Sequence, residues 1–390
     1  MTPRVREHGR RSGVTRGRTR PGSVRACLAW LAAAGSSALA PGAVAADSGE
    51  LLYVAEGNRL HRIDVDSIDD PPLLHEVLIE RASRDPERGR DINGMVCALP
   101  DGSGRFVAGE DTGQPHPPAG WGVLEADGTQ VGKLTASSGA GVPDPYGCAF
   151  DREGRLFGSD VGDPGFGAPN GQLLLWFPPF DRFPGPPGAY PQTDATSGNS
   201  CKLATDIGTA GALAIDARGR VYLASSSRFA LYRFSPPFPT SPDAAGGCGS
   251  RDATGSPLAD RVDREVFVRA PASFSGLAFA RNGNLYAASV ATGRIYEYDL
   301  DGNRVRTILE PPEWLPPFST GYPQGLGVDS RGTLYYADLD LAWRGWMPGP
   351  GRNGKVRRIR FDADGEPLPP EIAIEGFAFP DAVSVLPGDL

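Results

Sequence analysis

Four segments of this chain repeat one phrase: Gly147–Asp160, Ala212–Ser225, Gly276–Ser289 and Gly325–Asp338. Each reads as an apolar strand, a four-residue turn closing on Gly, and a second apolar strand, at fixed internal spacing. A hairpin reused in this way cannot bury its apolar faces alone, so successive copies must pack against one another. Two further copies are looser. Asn93–Leu99 followed by Arg105–Glu110 is the same hairpin with a longer turn through Pro100, Asp101 and Gly102. The sixth is split between the chain ends: Phe379–Leu386 supplies a first strand, and Leu52–Glu56 a second. Joining them completes a ring and leaves no sheet edge open.

The aligned positions Gly94, Gly147, Ala212, Gly276, Gly325 and Ala382 are 49 to 65 residues apart, which is room for a four-stranded sheet and its loops. Outer strands read at Arg59–Val65, Gly122–Glu125, Gln172–Phe177, Ala230–Phe234, Arg294–Tyr298 and Lys355–Phe361. Hairpin turns follow at Asp127-Gly128, Asp301-Gly302 and Asp364-Gly365. The sequence therefore predicts an all-β fold: a six-bladed β-propeller with four-stranded blades, closed by a C-terminal inner strand joining N-terminal strands. A β-sandwich would not reuse one hairpin six times, and no sustained 3.6-residue apolar period argues for long helices. With 52 Gly and 38 Pro, the chain has the turn residues such a fold needs. The Pro-rich stretches Phe177–Pro191, Pro236–Pro242 and Pro311–Pro317 read as excursions between strands.

Residues 1–45 read differently. Eight Arg and one acid, Glu7, precede an uncharged run from Ala26 to Ala45 that ends in Ala43-Val44-Ala45, the small-x-small pattern of a secretory signal. Gly35, Ser36, Ser37, Pro41 and Gly42 leave its apolar core short for a membrane span. The expectation is a signal peptide over 1–45, removed, followed by one propeller domain over 46–390. That makes the protein exported, periplasmic or extracellular, with no membrane span after cleavage. Losing eight Arg against one acid turns the formal charge of −8 into −15 for the rest. A surface this acidic repels phosphate backbones and anionic lipid, which argues against nucleic-acid partners.

Outside the leader stand Cys97, Cys148, Cys201 and Cys248, an even count compatible with two disulfides. Cys201 and Cys248 fall in Gly/Ser/Asp-rich loop sequence outside the repeated strands, where a bridge would tie down an insertion. Cys97 and Cys148 follow their aligned Gly residues by three and by one. Period-two alternation then points both to the same side of their blades, which argues against a simple bridge and leaves two buried thiols as the alternative.

The phrase Pro-x-Gly-(apolar)-x-x-Asp-x-x-Gly-x-Leu-Tyr-x-Ala-Asp, best preserved over Pro323–Asp338, resembles an NHL-type repeat. Six such units are similar to the senescence-marker protein and gluconolactonase superfamily of propellers, over residues 50–390. The resemblance rests on turn and core positions, so it speaks to fold before activity. It implies a divalent cation, Ca²⁺ or another, at the channel top, held by Glu, Asn and Asp residues that precede small residues at inner-strand starts. Asn93 before Gly94 and Asp381 before Ala382 match the Asn and Asp; no blade offers the Glu, and Gln324 stands at one equivalent place.

In a four-stranded blade the residue before the first strand and the residue ending the second lie at the same face. The first ring reads Asn93, Tyr146, Gly211, Ser275, Gln324 and Asp381; the second reads Glu56, Glu110, Asp160, Ser225, Ser289 and Asp338. Four carboxylates thus fall on four consecutive blades. Converging carboxylates hold a hard cation or shift one another's pKa; the structural alternative is an Asp that caps a strand end by accepting backbone N–H groups. The sequence offers Asn93, Asp381 and Glu110 as metal ligands, and Asp381, Asp338 and Glu56 as catalytic groups. Tyr146, Asp160, Gln324, Trp343, Arg344 and Trp346 stand as ligand-binding residues, the last three on a long loop above the mouth. No inner position carries His, and His116 lies in another mouth loop, so His-dyad or His-zinc chemistry is disfavoured. Two functions are compatible with this pattern. The first is an exported, monomeric propeller binding a small-molecule ligand or an exported protein partner at its acidic mouth. The second is a divalent-metal-dependent lactonase or esterase, with Asp381 and Asn93 holding the ion and Asp338 or Glu56 activating water.

Overall fold

A computed structural model of the chain describes residues 49–70, 72–80, 91–111, 120–135, 144–162, 169–180, 199–313, 317, 319–344, 347–351 and 353–388. Residues 1–45 lie outside them, and residues 47–390 form one compact unit. The described residues are almost wholly β, with a single 3₁₀ turn at Asp66–Ile68, and no helix among them is long and apolar enough to cross a membrane.

Six antiparallel sheets carry the ring. Blade 1 orders Ala382–Pro387, Glu50–Glu56, Arg59–Asp64 and His75–Glu80 from the axis outward, so the two chain ends share it as the split repeat requires. Blade 2 is Asp91–Ala98, Phe106–Asp111, Gly120–Leu124 and Gln130–Leu134; blade 3 begins Pro145–Phe150, Leu156–Asp160, Gly171–Trp176 and Ser200–Gly208. Blade 4 is Ala210–Ile215, Val221–Ser225, Ala230–Ser235 and Asp263–Arg269; blade 5 is Phe274–Phe279, Leu285–Ser289, Arg294–Tyr298 and Arg304–Leu309. Blade 6 is Pro323–Val328, Leu334–Asp338, Gly354–Ile359 and Glu371–Phe377, with an added hairpin of Leu341–Arg344 and Met347–Pro350.

Alternation places apolar residues on both faces of each blade, because each blade is covered by a neighbour on either side. One buried cluster fills each of the six interfaces. Trp121 and Trp176 meet between blades 2 and 3, and Leu52, Val54, Tyr335 and Val356 between blades 6 and 1. Inner strands crowd together at the axis. A Cβ on Gly147 would stand 2.6 Å from the Gly211 carbonyl oxygen, and one on Gly276 would stand 2.2 Å from that of Gln324. Only glycine fits where backbones approach so closely, which is why the repeat opens on Gly or, at two blades, Ala.

Two expectations need correction here. Cys97 and Cys148 are bridged, with Cα atoms 6.1 Å apart, so the alternation argument against them fails. In blade 3, Pro145 pairs with Asp160 and Cys148 with Gly158; in blade 2, Asn93 pairs with Gly109 but Val96 with Ala108. The blade 2 inner strand therefore carries one residue more than its neighbour, taken up where Gly94 sits at φ 73°. That bulge reverses the parity beyond it and turns Cys97 toward Cys148. The second bridge, Cys201 to Cys248, is the pair expected, but Cys201 lies in the outer strand of blade 3 rather than in a loop. Its partner belongs to an insertion after Pro236, whose short strands Ser250–Arg251 and Pro257–Leu258 extend blade 3 to six strands.

Candidate functional site

Strand register brings the two rings of the sequence to one face. Pro145 pairs with Asp160, Ala210 with Ser225, Phe274 with Ser289 and Pro323 with Asp338, so each second-strand end lies beside its inner-strand start. In blade 1, Ala382 pairs with Ala55, which sets Asp381 beside Glu56.

The four carboxylates are all buried, at 1 to 4% exposure, and each is already engaged. Asp160 accepts the Asp144 and Gly162 N–H groups at 3.1 Å on one oxygen and the Gln172 amide at 2.7 Å on the other. Asp338 does the same in blade 6, taking the Tyr322 and Asp340 N–H groups at 3.0 and 3.2 Å and the Arg357 guanidinium at 2.9 Å. Glu56 accepts the Ala378 N–H and faces His61 Nε2 at 3.1 Å. Burial pushes its carboxyl up, but the bonds from His61 and Ala378 outweigh burial and hold it below its usual value. Glu110 turns outward, meeting Lys133 Nζ at 2.9 Å and the Gln130 amide at 2.7 Å. Gly122 makes that possible, since a Cβ there would stand 2.9 Å from Glu110 Oε1. Asp160, Asp338 and Glu56 thus clasp the segments leading into inner strands and answer to a side chain on the third strand of their own blade. This is the capping arrangement that the sequence offered as its structural alternative.

Asp160 carries a consequence for pH. Burial raises its carboxyl to about 6 from 3.8, against the hydrogen bonds that lower it. The folded state then holds this proton more tightly than the unfolded chain. Its stabilising contribution is full below the unfolded value and is lost as pH rises through about 6. Asp160→Asn keeps the shape and cannot titrate, so relative to the parent it should gain stability between about pH 4 and about pH 7. Urea midpoints at the two pH values check this, and an unchanged gap between variant and parent would refute it.

The first ring forms the floor of the mouth. Tyr146, 3% exposed on blade 3, donates its hydroxyl to the Asp381 carbonyl at 2.9 Å and is hydrogen-bonded by the Gln324 side chain of blade 6. The phenol therefore reaches across the axis to the blades opposite. Burial, then the Asp381 charge, push its pKa well above the usual value, so it stays a donor. Asp381 Oδ2 accepts the Gly94 N–H at 3.3 Å, and Ser275 Oγ donates to the Gln324 carbonyl at 3.3 Å. Below this floor the channel holds a cavity of about 390 Å³, walled by apolar residues of all six inner strands, Met95, Phe150, Leu213, Phe279, Val328 and Val385 among them.

Two of the three donors offered for a divalent cation are already engaged. Glu110 is committed to Lys133 and Gln130, and Asp381 shares an oxygen with the Gly94 N–H. Among the described residues, no group of three His, Cys, Asp or Glu side chains could hold a metal ion. The side chains of Asn93, Trp343 and Arg344, and all of Trp346 and His116, lie outside the described residues. The structure brings Tyr146, Gln324 and Asp381 together; Glu56, Asp160, Asp338 and Glu110 remain in their separate blades. Sequence reasoning missed Lys133, Gln172 and Arg357. Alternation held no signal for the first: Gln130 and Lys133 are three residues apart and both reach Glu110 only because a bulge shifts the register of the outer strand, where Val123 pairs with Gly132 and Leu124 with Gln130.

No family model matches the sequence, and no curated protein matches it. Solved structures do resemble the fold. A chain of a nidogen/laminin complex aligns over 86% of this chain and 98% of its own, with 12% identity and a TM-score of 0.50. A calcium-binding regucalcin from Agrobacterium tumefaciens aligns over 86% and 89% at 13% identity, TM-score 0.45. A streptogramin B lyase aligns over 87% of each chain at 10% identity, TM-score 0.45. Identities this low speak to fold and not to chemistry. With its ring closed by both chain ends and one hydrophobic cluster at each blade interface, the chain is a six-bladed β-propeller.

Proposed function

We propose that this protein is an exported binding propeller that takes a small ligand or a protein partner at its acidic channel mouth and carries out no hydrolysis there. One observation carries the reading: Glu56, Glu110, Asp160 and Asp338 are each tied to N–H donors or to a cationic or amide partner within their own blade. A general base or metal ligand needs a carboxylate oxygen aimed at open space. Tyr146 closes the axis beneath them, so the mouth is a firm polar floor, and the hairpin Leu341–Arg344 and Met347–Pro350 adds recognition surface to blade 6. Two disulfides support export, since such bonds persist in oxidising compartments.

The test pairs two measurements on residues 46–390. Millimolar calcium should leave the melting temperature where matched ionic strength leaves it, and lactones should not turn over above background. Replacing residues 342–349 by a short Gly-Ser turn should abolish capture of ligand or exported partner while the melting curve holds. Calcium-dependent lactone turnover that disappears in Asp381→Ala would sink the binding reading and restore the hydrolase.

A further inference from the structure

On the face opposite the mouth, a cleft of about 730 Å³ lies between blades 3 and 4. Its walls are the inner turns of the two blades and the segments that leave their third strands. The turn phrase Asp-Arg-Glu-Gly-Arg155 supplies the base. Arg155 Nε donates to Asp151 at 2.7 Å, its Nη1 donates to the Phe238 and Pro239 carbonyls at 3.2 and 2.8 Å, and its Nη2 meets Asp151 and Glu153. Both acids in the cleft are thereby answered by one guanidinium.

Two cations remain. Arg152 and Arg218, exposed at matching places in adjacent turns, have no ion pair or side-chain hydrogen bond among the described residues. With Arg155 balanced against two carboxylates, the cleft keeps a positive surplus in a chain whose formal charge is −8. Apart from Thr240, its remaining wall is apolar, chiefly Phe177, Phe238 and the prolines at 178, 236 and 237. Phe238 is held edge-on to Phe157 with ring centroids 5.0 Å apart, and the Arg155 guanidinium lies 5.9 Å from its centroid.

The insertion that carries Phe238 is pinned in place. Cys248 is bonded to Cys201, Leu258 pairs with Lys202, and Lys202 Nζ meets Asp252 at 2.7 Å. A wall held at three points is formed before any ligand arrives, which spares the ordering cost of binding.

We propose that this cleft binds a small organic anion, a carboxylate on a flat apolar body. The carboxylate sits between Arg152 and Arg218, where guanidinium geometry matches its two oxygens. The flat body lies against Phe177, Phe238 and the prolines. The site is separate from the mouth, so neither reading depends on the other.

Calorimetry with 2-naphthoate tests it, with 2-naphthamide and inorganic phosphate as comparators. Naphthoate should bind, and more weakly as salt rises. Arg152→Gln and Arg218→Gln should each weaken it about tenfold, the size of one lost charge-assisted bond, with melting temperatures unchanged because both side chains are exposed. Absence of naphthoate binding, equal binding of naphthamide, equal binding of phosphate, or unchanged affinity in both variants would each overturn the proposal.

Discussion

Glu110→Ala should cost about 3 to 5 kcal/mol of folding stability, the largest loss expected from any single mouth residue. Glu110 and Lys133 are 2% and 1% exposed and lie 2.9 Å apart. Removing the carboxylate leaves the Lys133 ammonium buried inside blade 2 without the acid it meets in the parent. The pair itself adds much less, because burying two charges costs about as much as their attraction returns. A double variant, Glu110→Leu with Lys133→Met, should therefore recover most of what the single variant loses. Urea midpoints of the parent, Glu110→Leu, Lys133→Met and the double variant close the cycle. Equal losses in the single and double variants would show that the site tolerates a lone charge, and would reopen Glu110 as a ligand available to a cation.

The second large effect belongs to Cys97 and Cys148. Their bridge closes a loop with a sequence separation of 51 between the inner strands of blades 2 and 3. Chain-entropy reasoning gives about 4 kcal/mol for a loop of that length. Replacing both residues by Ala should lower the urea midpoint accordingly. The blade 2–3 cluster around Trp121 and Trp176 should stay packed, so the near-ultraviolet circular dichroism of the folded state should be retained. Thiol titration of unfolded, unreduced residues 46–390 supplies the independent check. It should find no free thiol; two free thiols would favour the buried-cysteine alternative over this bridge.

This bridge also marks where sequence reasoning stops. Each step from the repeat to the ring used local facts: alternation of apolar residues, turns closing on Gly, and matching half-repeats at the two ends. Such facts do not depend on what lies across the axis. Parity of a strand does. One extra residue near Gly94 moves Cys97 to the other face, and nothing in Asn93–Leu99 taken alone says where that residue is absorbed. Packing against blade 3 decides it, since a Cβ at Gly94 would stand 2.1 Å from the Tyr146 carbonyl oxygen.

The same division runs through the candidate site. That Glu56, Glu110, Asp160 and Asp338 share a face was legible, because register follows from the hairpin turn. Their chemistry was not, because a carboxylate's role is set by its nearest donors, and those stand on other strands of the same blade: His61, Lys133, Gln172 and Arg357. Tyr146 shows it most plainly. In the sequence it is one ring position among six; in the fold its phenol crosses the axis to Asp381 and Gln324 and closes the channel.

The sequence by itself determined the number of blades, the closure of the ring by both chain ends, and which inner-hairpin ends share one face, because these follow from short-range periodicity. The tertiary structure alone decided which carboxylates are spoken for, which cysteines meet and where two arginines are left facing a cleft. Those outcomes depend on which side chains strand pairing within a blade and packing between blades bring together, and no local pattern records that.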